Sequence, residues 1–162
     1  MKSLSEIRDE LIFEGYIELK KTEKSKKKSV VSAPNEFIST DGFTILSGRN
    51  NRQNEILTLK SSQKNDMWFH VRNAAGSHTV IRTEGREPSE RAIFEAAVIA
   101  AYYSKKAKDS KVDVDYTLIK YVKKPNGAKT GMVIYDNFKG ITVEPDEKII
   151  EKLKVKNQTG EA

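Results

Sequence analysis

Residues 48–78 hold most of the side chains in this chain that could do chemistry. Gly48 opens a run of Arg49, Asn50, Asn51, Arg52, Gln53 and Asn54. A short apolar segment leads to Asp66-Met67-Trp68-Phe69-His70-Val71-Arg72, and the stretch closes on Gly76-Ser77-His78. The single tryptophan and both histidines of the 162 residues fall inside it. A core segment has no use for so many amides, guanidiniums and imidazoles. Together with one exposed aromatic, they are the groups that grip phosphate, ribose and an unstacked base.

A strand over Asp66–Arg72 would put Met67, Phe69 and Val71 on a core face and Trp68, His70 and Arg72 on the other. On that second face Trp68 offers a stacking platform, His70 a donor and Arg72 a phosphate fork. The competing reading is a half-buried tryptophan covering the sheet edge beside a hydrogen-bonded His70. Gly76-Ser77-His78 reads either as an anion cup of backbone amides or as a turn with a capping serine. Ser77 and His78 are adjacent, so in an extended chain they point apart, which disfavours a hydrolytic pair. Asp66, His70 and His78 are the only metal-ligand candidates and lack a known ligand spacing. Asn50 or Asn51 can cap a following helix, but this does not account for Arg49 and Arg52; an anion at a helix N-terminus flanked by arginines does. No Gly-rich phosphate loop, paired catalytic carboxylates or nucleophile elbow is present. The reading is therefore of a non-enzymatic domain with no cofactor and no metal.

The positioning elements follow from pattern. Ser3 with Glu6, the stripe Leu4, Ile7, Leu11 and the stop at Gly15 predict a helix over residues 3–14, as at the end of a coiled coil. The lysine run 20–28 reads as a basic flexible linker closed by Pro34 and Asn35, either a phosphate-seeking tether or a spacer kept soluble by charge. Phe37–Thr40 and Phe43–Leu46 around Asp41-Gly42 predict a hairpin with a tight type I′ turn. A short helix over Gln53–Lys60 follows, then strands at Met67–Arg72 and His78–Thr83. Pro88–Ala107 is the clearest helix, with Ala92, Ala96, Ala97, Ala100 and Ala101 allowing close approach to a sheet. Val112–Lys123 reads as a strand, and Met132–Tyr135 with Gly140–Val143 as a final pair; beyond Pro145 a charged tail is expected. This order predicts an α+β fold: a mainly antiparallel sheet backed by one long helix, with a short N-terminal coiled-coil helix. The expected divisions are 1–19 for the coiled-coil end, 20–36 for the linker, 37–147 for the folded domain and 148–162 for the tail.

Composition bounds the partners. The net charge is +6, from 29 Lys plus Arg against 23 Asp plus Glu. This favours polyanions, with nucleic acid first. The absence of cysteine fits a reducing cytosol, and no run approaches the roughly 18 apolar residues of a membrane span.

Gly48-Arg49-Asn50, Gln53-Asn54-Glu55, Asp66–His70, Gly76-Ser77-His78 and Ala96–Ser104 together resemble the NFACT-R domain, the C-terminal domain of the RqcH/NEMF family, also labelled fibronectin-binding protein A. The resemblance covers about Phe37 to Pro145; one departure is Ala75, where relatives usually carry proline. It implies a cytoplasmic, RNA-binding part in ribosome-associated quality control. The implied partners are large-subunit RNA and tRNA, in support of C-terminal alanine tailing of stalled chains. The family's N-terminal domain has no counterpart in these residues, so the chain alone is not expected to support tailing. On this reading Arg49, Arg52, Lys60, Lys64, Arg72 and Arg82 contact phosphates. Trp68 or His70 stacks or hydrogen-bonds, and Asn50, Asn54 and His78 shape the pocket. The alternative is a protein-docking module for fibronectin or another protein.

Overall fold

The computed structural model describes residues 33–155. The expected N-terminal helix, the lysine run and the end of the tail lie outside them. Six strands form the main sheet: β1 Asn35–Ile38, β2 Thr44–Ser47, β3 Met67–Val71, β4 Thr79–Arg82, β5 Val112–Leu118 and β8 Lys139–Val143. Their order is β1-β2-β4-β3-β5-β8, and every neighbouring pair is antiparallel. A two-stranded ribbon, β6 Val122–Lys123 with β7 Ile134–Tyr135, stands beside it. Three helices, α1 Asn51–Leu59, α2 Glu90–Tyr102 and α3 Glu147–Leu153, complete the described residues. The α+β class and the antiparallel sheet are as expected; α1 and α2 answer to the expected short and long helices, and α3 is a third, in the stretch expected to be tail.

The first hairpin forms with a wider turn than the Asp-Gly signal implied. The Gly42 N–H donates to the Ser39 carbonyl and the Ser39 N–H to the Phe43 carbonyl. Only Gly42, at φ +95°, is left-handed there, so the loop is a type I turn followed by a glycine bulge. Expected strand 112–123 is broken by a 3-10 turn at Ile119–Tyr121. That bend releases β6 from the main sheet. The expected final pair does not form either: β7 returns onto β6, while β8 pairs with β5. The expected tail also begins later than Pro145. Ile150 and Leu153 of α3 are buried in the main core, and the Val155 N–H donates to the Glu36 carbonyl.

Both faces of the sheet are covered. On one, Phe37, Ile45, Phe69, Val71, Ile81 and Val114 pack under the alanine stripe of α2. On the other, Trp68 and Val80 pack with Leu57 of α1 and with Ile119, Val122, Val133 and Tyr135. The side of β3 that alternation marked as polar is therefore a second, smaller core.

Candidate nucleic-acid interface

The segment 48–54 spends two of its four side-chain amides on itself. The Gln53 N–H donates to Asn50 Oδ1 at 2.9 Å, and the Arg49 N–H donates to Gln53 Oε1 at 2.8 Å. Asn50 thus caps α1, with the third helical residue reaching back in the manner of a capping box. Asn54 is buried and its Oδ1 accepts the His78 N–H at 3.1 Å, which ties α1 to the start of β4. Gly48 has to be glycine, because a Cβ there would lie 2.1 Å from Asn54 Oδ1.

The far wall is the end of α2. Ser104 Oγ donates to the Ala101 carbonyl at 2.7 Å and accepts the Lys106 N–H at 3.0 Å. This stops the helix at Tyr102, short of the predicted Ala107. The chain then zips onto the β3–β4 loop: the Ser77 N–H donates to the Tyr103 carbonyl and the Lys105 N–H to the Ala75 carbonyl. Gly76 admits this approach, since a Cβ would meet Ser104 Cβ at 2.9 Å. Between the start of α1 and this zipped corner lies a cleft of about 340 Å³. It is lined by Arg49, Asn50, Asn51 and Asn54 from the start of α1, by Gly76 and Ser77 of the β3–β4 loop, and by Tyr103, Ser104 and Lys105 after α2. Burial holds the Tyr103 phenol above its ordinary value, against the opposing charge of Arg49. The phenol therefore stays a hydrogen-bond donor. Two cations, a phenol and a helix N-terminus make a cleft suited to an anion of phosphate size.

The other predicted residues are distributed differently. Trp68 is fully buried, so it offers no face to a base; the ribbon and α1 cover it. Its Nε1 donates to Thr58 Oγ1 at 3.2 Å, and that hydroxyl also bonds His78 Nδ1 at 2.7 Å. The His70 ring stacks on Trp68 at 5.8 Å, and the His78 ring stands edge-on at 5.4 Å. Burial, with the nearby His70, pushes the His78 imidazole down to about 3, and burial also lowers His70. His78 is therefore neutral at pH 7 and inside, so it supports the corner from behind, whereas Asn54, also buried, lines the cleft as expected. Asp66 is buried, accepting the Gln63 and Thr83 N–H groups, and acts as a tie between the ends of β3 and β4. Among the described residues no three His, Cys, Asp or Glu side chains are placed to share a metal ion.

Arg72 is committed to Asp115, with Nη2 and Nε at 2.7 and 2.9 Å from one oxygen, and Asp113 lies at 3.8 Å. It is not a free phosphate fork. Arg82 is half-buried, and its Nε lacks a hydrogen-bond partner among the described residues. Arg52 sits in the first turn of α1, whereas Lys60 caps its other end, about 12 Å away along the helix axis, and Lys64 lies beyond it. The predicted cations are thus not one patch. The sequence reading missed Tyr103, Ser104 and Lys105 because it ran the helix through them.

Comparison with known proteins places this arrangement in a class. The family described as NFACT protein RNA binding domain matches residues 34–137. The chain is 48% identical over 155 residues to the Rqc2 homolog RqcH of Bacillus subtilis, and 40% identical over 156 residues to that of Streptococcus suis. These alignments cover 94% and 96% of this chain, but 27% and 28% of those proteins. A solved structure, the C-terminal part of the fibronectin/fibrinogen-binding protein from Streptococcus suis, is similar with a TM-score of 0.74 and 40% identity. It matches 96% of this chain and 62% of that one. The chain belongs to the family of NFACT protein RNA-binding domains, and its relatives are RqcH proteins. No helix of the described residues is long and apolar enough to cross a membrane.

Proposed function

We propose that this chain is the RNA-contacting module of an RqcH-like factor in ribosome-associated quality control, meeting tRNA or large-subunit RNA in the cytoplasm. It would support alanine tailing without itself carrying a catalytic group. The observation that carries this reading is the cleft at the α1 N-terminus, which Arg49 and Lys105 line together with Gly76 and Ser77. Phosphate is the ligand such a cleft fits, and RNA supplies phosphate at every residue. The test is tRNA binding by fluorescence anisotropy over a salt series, for the chain and for Arg49→Ala and Lys105→Ala. Each variant is expected to weaken binding and to lower the log–log salt slope by at most about one unit. Unchanged affinity and slope in both would remove the cleft from the RNA reading. The name of the similar Streptococcus suis protein favours a second reading, docking to fibronectin. A complex that survives RNase digestion would support it.

A further inference from the structure

Among the described residues, three of the four exposed large apolar side chains lie within residues 132–138; the fourth, Ile38, is on β1. Met132, Ile134 and Phe138 are 58%, 59% and 47% exposed. Alternation accounts for the first two: Val133 and Tyr135 turn into the second core, so Met132 and Ile134 turn out. Lys123 lies directly opposite Ile134 in the ribbon and shares its outward face. The Phe138 ring stands edge-on to Tyr135 at 5.3 Å.

Phe138 is exposed, yet the turn that carries it is pinned. Thr117 Oγ1 is shared between the Asp136 and Asn137 carbonyls at 3.0 and 3.1 Å. Tyr135 donates its hydroxyl to Asp115 at 2.7 Å, and Arg72 holds the same carboxylate. A ring held this way loses little freedom when something packs on it.

Charge narrows what that something is. Residues 119–140 hold five lysines against one aspartate, whereas residues 34–162 as a whole hold 21 basic against 17 acidic side chains. The ribbon segment therefore accounts for the whole positive excess of the chain beyond Ala33. Lys124 is paired with Glu55 at 3.0 Å. Lys123, Lys129 and Lys139 are exposed and have no carboxylate partner among the described residues. An exposed aromatic in the same segment as three unpaired lysines matches a polyanion with flat apolar faces, which is single-stranded nucleic acid. The connection between β6 and β7 reaches the rim of the cleft: the Gly131 N–H donates to Glu55 of α1 at 2.8 Å, and a Cβ on Gly131 would lie 3.2 Å from the Asn51 carbonyl oxygen.

We propose that the β6–β7 ribbon and the turn after it form a single-stranded RNA contact continuous with the cleft, in which Phe138 stacks on one unpaired base and Lys123, Lys129 and Lys139 meet the flanking phosphates. The proposal rests on the RNA reading above and names where a base, rather than a phosphate, is held.

The experiment compares two labelled probes by anisotropy, an oligouridine and an abasic ribose-phosphate oligomer of equal length. The full chain is expected to prefer the oligouridine. Phe138→Ala should weaken oligouridine binding about tenfold and leave the abasic oligomer within about twofold. Phe138→Tyr should keep the preference, whereas Phe138→Leu, which keeps apolar bulk without an aromatic face, should lose it. Thermal melts of each variant monitor the fold; an exposed ring should leave them unchanged. If Phe138→Ala retains the preference, the platform is overturned while the RNA reading stands, and the apolar patch passes to a protein partner. If the unsubstituted chain binds neither probe, both readings fall.

Discussion

At the residue scale, His78 shows how a polar motif can be spent on architecture. Its backbone N–H is held by Asn54 and its Nδ1 meets Thr58, so the imidazole bridges α1 and β4 behind the cleft. Burial keeps it neutral down to about pH 3. In the unfolded chain it would take a proton near its ordinary value of about 6.5. The unfolded state therefore binds more protons as pH falls below about 6.5, and stability is lost from there down to about pH 3. Each pH unit in that window should remove up to roughly 1.4 kcal/mol through His78, with His70 acting in the same direction. Denaturant unfolding at neutral pH and near pH 5 checks this; His78→Gln should flatten the dependence. A stability independent of pH would mean that His78 is not held neutral.

At the scale of elements, α2 positions more than its alanine stripe suggests. Glu95 is 1% exposed and its carboxylate accepts the Thr40 N–H at 2.8 Å, the Thr40 hydroxyl at 2.5 Å and Arg91 Nε at 2.8 Å. It pins the β1–β2 turn onto the helix. Glu95→Ala leaves the Thr40 N–H without its acceptor and should cost about 2 kcal/mol, read as a drop in denaturation midpoint. A change within a few tenths would mean that water replaces the carboxylate. Legibility in the sequence also divides along element lines. The first hairpin, α1, β3, β4 and α2 were readable because caps, turns and alternation are local signals. The Asn50 cap was readable for the same reason. Ile149, Ile150 and Leu153 carried a helical pattern too, but it was short and lay among charges. The covering of Trp68 was not readable, because it depends on the 3-10 turn at Ile119–Tyr121 folding a distant ribbon across β3. The cleft was half readable. Its arginine side was visible as composition, but its Tyr103–Lys105 side exists only because Ser104 ends α2 early and the β3–β4 loop docks there.

At the scale of the whole molecule, two sources of positive charge compete for any polyanion. Residues 20–28 carry six lysines against one glutamate, while the part from Pro34 onward holds its excess on the ribbon. A version starting at Pro34 is expected to retain tRNA binding, with a salt slope reduced by no more than about 0.9 for each phosphate contact the lysine run made. Anisotropy on both versions decides this. Loss of all binding on removing the lysines would make that run the binder and return the folded face to protein docking. Retention would mean that the basic segment adds association rate more than specificity.

The burial of Trp68 has a practical consequence. The chain contains one indole, sealed between Thr58, His70 and Tyr135 in the smaller core. Its emission therefore reports on one side of the sheet alone, while circular dichroism reports on the whole. Protonated imidazole quenches indole, so a fall in emission below neutral pH at constant dichroism would register protonation of His70 or opening of the ribbon before the sheet itself gives way.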